Sequence, residues 1–253
     1  MILDYFRAEN IEQAYKRVVD GSTIIAGGGY ISKHQEGIKA VVDLQKLALT
    51  GIEVNEKYIK IGANEKLQTL VDHEAIPVSL KQAITRFPGS SNIRNSATIA
   101  GATLIADGRF DLLPWLLSAE AEVETYPDNN KTTLEIYLKE FKNSASKFII
   151  TNILIPRNAS VKGEVIARTP KDAILVGMFI NQQTNKNELK VCVCGQDLYP
   201  VCMTVDNSIE NKRDIIQENI KNAHSQYINQ YCSFSYYLTM CEKLFDRIIG
   251  GEL

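Results

Sequence analysis

Ser22-Thr23-Ile24-Ile25-Ala26-Gly27-Gly28-Gly29 decides how the first half of this chain is read. The first five residues form a short apolar strand, and three glycines follow without a break. Glycine in such a place lets the backbone adopt positive φ and approach a ligand, with amide groups turned toward an anion. The dinucleotide fingerprint G-x-G-x-x-G does not fit. Ser32 stands where its third glycine belongs, and Lys33-His34-Gln35-Glu36-Gly37 does not open an apolar helix. A phosphate-cradling loop between two strands and a plain strand-to-strand turn remain, and the residues alone leave both open.

Outward from this stretch the chain mixes short strands with short helices. Asn10 is placed to cap a helix through Ile11, Ala14, Tyr15 and Val18, with Gly21 just past its end. A strand is expected over 40–44, and the alternation over 51–62 suits a hairpin. Residues 65–73 and 78–86 read as helices, and 88–101 as a loop region. A helix over 111–119 carries Pro114 in its first turn. Alternation returns over 121–126, and an apolar strand runs over 147–155 up to Pro156. A polar stretch over 157–163 reads as a linker. Strands over 172–180 and 189–194, a polar helix over 206–223 and a terminal helix over 233–249 complete the chain. The class is α+β (mixed α/β), in two or three lobes.

The composition sets limits. The chain has 253 residues, 45% hydrophobic and 23% charged, with a formal net charge of −2. Basic and acidic residues are interspersed, so no nucleic-acid surface is expected. No apolar run is long enough for a membrane helix, and no membrane partner is expected. Met1-Ile2-Leu3 leads directly into Asp4, Arg7 and Glu9, which does not read as a secretory signal. The five cysteines are odd in number and fit reduced thiols, so a cytoplasmic location is expected.

A second segment, Arg94-Asn95-Ser96-Ala97-Thr98-Ile99-Ala100-Gly101-Ala102-Thr103, is rich in small and hydroxyl residues, which keep the backbone accessible and can bond phosphate or ribose oxygens. Asp111, a short distance on, has two readings: acceptor for ribose hydroxyls, or helix cap. Other chemistries find little support. The three histidines are far apart and no G-x-S-x-G elbow exists. Cys192 and Cys194 form C-x-C within an apolar strand pattern and have no C-x-x-C counterpart, so buried structural thiols are expected rather than a metal site.

Taken together, the two segments resemble the FAD-binding subunits of the xanthine dehydrogenase and carbon monoxide dehydrogenase family of molybdenum hydroxylases. Three runs carry the resemblance: Ile24 to Ile31, Ile93 to Gly101, and Asp111-Leu112-Leu113-Pro114-Trp115 with its continuation to Val123. Tyr5-Phe6-Arg7-Ala8 and Ile153-Leu154-Ile155-Pro156 also stand where the family has counterparts. The R-N-x-A-T-I-x-G run with the spaced D-L-x-P is specific; the glycine loop alone is not.

The resemblance implies a two-lobed FAD-binding domain of the PCMH/vanillyl-alcohol-oxidase-like type over 1–157, with lobes of about 1–53 and 54–157. A smaller α+β domain with antiparallel sheet and helices would follow over 158–253. It implies that Ile24, Ile25, Ala26, Gly27, Gly28, Gly29, Tyr30 and Ile31 wrap the FAD pyrophosphate. Thr98, Ile99, Ala100, Gly101 and Ala102 would hold the phosphate and ribose side, Asp111 would bind further along the cofactor, and Ile150 would lie near the flavin. The partners implied are a molybdenum-cofactor subunit and an iron–sulfur subunit, with NAD as a possible electron acceptor. A free-standing flavoprotein oxidoreductase and a scaffolding subunit that has lost FAD are the alternatives.

The chain departs from the family pattern in places. The family usually has two glycines and an asparagine where Ala100-Gly101-Ala102 stands, and a threonine–acid pair where Gly29-Tyr30 stands. Tyr237 replaces an arginine, and Arg168 is the candidate for a cation that approaches the flavin. FAD binding is still expected despite these departures.

Overall fold

A computed structural model describes residues 2–29, 31–32, 34–86, 89–105, 108–143, 147–170, 172–183, 187–195, 198–224 and 230–250. The chain divides into two compact units that interleave in sequence: 1–76, 90–105 and 121–155 form the first, and 77–89, 106–120 and 156–253 the second.

The first unit opens with β1 (Asp4–Arg7), α1 (Ile11–Val19), β2 (Thr23–Ile25) and β3 (Ala40–Asp43). Asn10 accepts a hydrogen bond from the Gln13 amide and so caps α1, as its sequence position predicts. Helix α1 buries Ala14 and Val18, and Gly21 leaves it at φ +98°. The three strands form a sheet in the order β1-β3-β2, with β3 parallel to both neighbours.

A five-stranded sheet follows, with order β4-β5-β8-β6-β7. It comprises β4 (Ile52–Val54), β5 (Tyr58–Gly62), β6 (Glu122–Tyr126), β7 (Asn130–Thr133) and β8 (Ile149–Pro156). The expected hairpin over 51–62 is the β4–β5 antiparallel pair. Val42, Leu44, Leu47 and Ile149 pack with Ala8, Ala14 and Val18 into one apolar cluster. Short helices α2 (Leu67–Asp72), α4 (Ser91–Ser96) and α5 (Ile99–Leu104) also belong here, with α7 (Leu134–Asn143). The stretch expected as loop thus contains α4 and α5: Ser and Asn are weak helix formers, but Thr98 caps α5 by accepting from the Gly101 amide.

The second unit carries a four-stranded antiparallel sheet, β12-β11-β10-β9. Its strands are β9 (Val161–Ile166), β10 (Val176–Gln182), β11 (Glu188–Gly195) and β12 (Leu198–Asp206). Strand β9 occupies part of the expected linker. Val176, Met178, Ile180, Val191 and Val193 bury one face against α8 (Lys212–Ala223) and α9 (Phe234–Gly250). The alternate residues Cys192 and Cys194 are also fully buried, and α6 (Leu112–Ser118), buried at every position, packs against this sheet beside α3 (Val78–Arg86). Both cysteines are free thiols pushed up by burial, as expected of structural cysteines. No helix among the described residues is long and apolar enough to cross a membrane.

Candidate functional site

The glycine turn links β2 to β3, two parallel neighbours, so the chain leaves the end of one strand at Ala26. Leu44 N–H donates to the Ile25 carbonyl at 2.9 Å and Gln45 Nε2 to the Ala26 carbonyl at 2.8 Å, which fixes where the turn begins. Gly28 sits at φ +71°, a conformation that favours glycine. Among the described residues, nothing accepts a hydrogen bond from the amides of Gly27, Gly28 or Gly29.

The second segment lies directly against this turn. A Cβ on Gly27 would stand 2.3 Å from the Ser96 carbonyl oxygen and 3.1 Å from the Ala97 Cα. Only a residue without a side chain allows that approach. The two segments singled out by sequence, distant along the chain, therefore meet backbone to backbone within the first unit.

Residues 61–66 brace the meeting point, and sequence reasoning passed them over. Ala63 and Glu65 carbonyls accept from the Ala100 and Ile99 amides at 3.2 and 2.9 Å. Buried Asn64 donates from Nδ2 to the Leu44 carbonyl at 2.8 Å, and the Glu65 carboxylate accepts from the Gly51 amide at 2.7 Å. Lys66 forms an isolated antiparallel bridge with Thr98, and its Nζ donates to the Ser96 carbonyl at 2.9 Å. The Gly62-Ala63 pair after an apolar strand was the available signal: a Cβ on Gly62 would stand 2.5 Å from the Leu49 carbonyl oxygen.

The remaining predicted residues divide. Thr98, Ile99 and Ala100 are buried, whereas Gly101 and Ala102 are half-exposed. A Cβ on Gly101 would lie 2.9 Å from the capping Thr98 hydroxyl, so glycine is needed there for local packing as well. Ala100, one of the departures, is itself buried and donates its amide to the Ala63 carbonyl. Ile24, Ile25 and Ala26 are half-buried, and Ile31 is buried. Ile150 is buried in β8 opposite Thr125, at an irregularity in the β6–β8 register. Tyr30 lies outside the described residues.

Asp111 belongs to the second unit. It stands at the N-cap of α6 but makes no cap bond, so the reading of it as a helix cap is corrected. Its carboxylate instead takes both arms of the Arg86 guanidinium, with Nε at 2.6 Å, and Arg86 also donates to the Asp172 carbonyl at 3.0 Å. Burial pushes the Asp111 carboxyl up, against the pull of Arg86. Arg168 pairs with Asp172 at 2.8 Å, and Tyr237 is fully buried in α9. Among the described residues no cluster of His, Cys, Asp and Glu could hold a metal.

The fit to a dinucleotide rests on this geometry. A turn without Cβ atoms, with amides that no described protein group satisfies, could hold an anion such as a diphosphate. Residues 1–158 match the family described as FAD binding domain in molybdopterin dehydrogenase. The Uncharacterized protein YgfM of Escherichia coli (strain K12) is 32% identical over 143 residues, 54% of each chain. The chain thus spans about half the length of the curated relatives it matches. Among solved structures, a chain of the Cu,Mo-CO dehydrogenase in its cyanide-inactivated form is similar with a TM-score of 0.80 at 16% identity, over 99% of this chain and 97% of that one. A chain of quinoline 2-oxidoreductase from Pseudomonas putida 86 is similar with a TM-score of 0.77 at 15% identity, over 98% and 96%. At such identity these two likenesses establish the fold. The match over 1–158 establishes more: the chain belongs to the family of FAD-binding domains of molybdopterin dehydrogenases.

Proposed function

We propose that this chain is the FAD-carrying electron-transfer subunit of a multi-subunit molybdenum hydroxylase. The observation that carries the reading is the contact of the Gly27 turn with the Ser96 carbonyl, inside the region that matches the family. In this reading Gly27, Gly28 and Gly29 offer amides to the pyrophosphate, and the Gly101-Ala102 end of the second segment borders the same cofactor. Ile150 supplies an apolar wall.

Bound FAD would supply the redox chemistry, taking up single electrons from a partner's iron–sulfur clusters and delivering them in pairs to NAD or another acceptor. The chain's own residues bind and orient it. No side chain is asked to act as nucleophile or general acid, which agrees with the scattered histidines. Substrate hydroxylation belongs to a separate molybdenum-cofactor subunit.

The test is purification of the tagged chain from its native cell, with its visible spectrum and its iron and molybdenum content. The expected result is a flavin band that bleaches anaerobically with NADH, together with iron and molybdenum in co-purifying subunits. A flavin band without those metals would favour a free-standing flavoprotein, and a colourless chain that refuses added FAD would favour a scaffold.

A further inference from the structure

Lys66 stands where the two segments of the site meet. Its ammonium donates to the Ser96 carbonyl at 2.9 Å, the same oxygen that a Cβ on Gly27 would approach to 2.3 Å. Its backbone bridges to Thr98, so the residue is tied to the second segment at both ends. Lys66 is half-buried, yet among the described residues no carboxylate lies within ion-pair distance of its nitrogen. The neighbouring Glu65 carboxylate is turned to the Gly51 and Lys66 amides instead. Burial draws the Lys66 ammonium down, while Glu65 and Asp43 pull the other way. A partly desolvated cation that holds one neutral carbonyl is under-compensated, and an anion beside it would be favoured.

Resting on the FAD reading above, we propose that Lys66 is a cofactor-binding residue whose ammonium bonds the diphosphate of FAD where the glycine turn meets the second segment. Lysine suits this task as a flexible point charge with three donors, of which the Ser96 carbonyl uses one. It also offsets side-chain hydrogen bonds lost where Ala102 stands in place of the family's asparagine.

The test is a fluorescence titration of the purified full chain with FAD, at low and high salt, for wild type, Lys66→Met, Lys66→Gln and Lys66→Arg. Riboflavin, which carries no phosphate, is the control probe. Removing the charge is expected to weaken FAD binding about ten- to a hundredfold, the range of a charge-assisted hydrogen bond. Lys66→Arg should recover most of the affinity, and riboflavin binding should be alike in every variant. Wild-type affinity should fall with salt more steeply than that of Lys66→Met. Equal FAD affinity in wild type and Lys66→Met would overturn the proposal and leave the FAD reading standing. Equal loss for FAD and riboflavin would overturn it in favour of a structural role. A wild-type chain that takes no FAD would overturn both. Should Lys66→Met not fold, Lys66→Gln and the wild-type salt dependence separate the same outcomes.

Discussion

The two units of this chain are held together in different ways. In the first, the decisive contacts fall on main-chain groups at turns: Ala63 and Glu65 carbonyls accept from the amides of Ala100 and Ile99, the Leu44 carbonyl accepts from the Asn64 side chain, and Gly27 lies against the Ser96 carbonyl. In the second, the order comes from side chains on a regular antiparallel register, with valines and methionines facing α8 and α9. Backbone that ends at turns leaves amides for a ligand, whereas backbone paired in a ladder has none to spare. On the proposed reading, the glycine turn and the second segment, both in the first unit, offer such amides.

Four substitutions probe that contrast. The largest loss of stability is expected from Asp111→Ala, which strands the Arg86 guanidinium in a setting where its side chain is only 17% exposed. About 3–5 kcal/mol should be lost in urea unfolding; a loss below about 1 kcal/mol would show that the pair holds nothing in place. Asn64→Leu removes a buried bond to Leu44 in the brace of the first unit, and about 1–3 kcal/mol is expected. It should also weaken FAD binding. Gly163→Ala probes the second unit, because a Cβ there would stand 2.3 Å from the Phe179 ring on the paired strand. It should cost about 1–3 kcal/mol in thermal unfolding and leave FAD affinity unchanged. Thr98→Val removes the cap of α5 at a cost of about 1 kcal/mol, the smallest effect of the set.

The same contrast explains what could be read from sequence. Helix α1 was legible because Asn10, the Ala14 and Val18 spacing and Gly21 all agree. The two site segments were legible because glycine and small residues mark close backbone approach wherever they cluster. Strands β9 and β12 were not, since Gly163 and Pro200 argue against strands. Pro200 fits because β12 is an edge of its sheet, where a missing donor is tolerated, and Gly163 because a Cβ there would meet the Phe179 ring of the paired strand. Residues 61–66 escaped notice because part of their work is done by main-chain groups, which any residue possesses, and the side-chain partners of Asn64, Glu65 and Lys66 lie 20, 14 and 30 positions away. Asp111 was visible as a polar residue before an apolar helix, but its partner Arg86 lies 25 positions away, beyond any local pattern.

If the Gly27 turn and the second segment form one FAD site, Gly27→Val should disrupt it. Titration of the purified chain with FAD, read by flavin fluorescence, should give saturable binding in wild type. Because the new side chain would collide with the Ser96 carbonyl, affinity in Gly27→Val should fall at least about tenfold, the effect of roughly 1.4 kcal/mol. Wild-type affinity in a folded Gly27→Val chain would mean that the turn and the second segment do not share an FAD site.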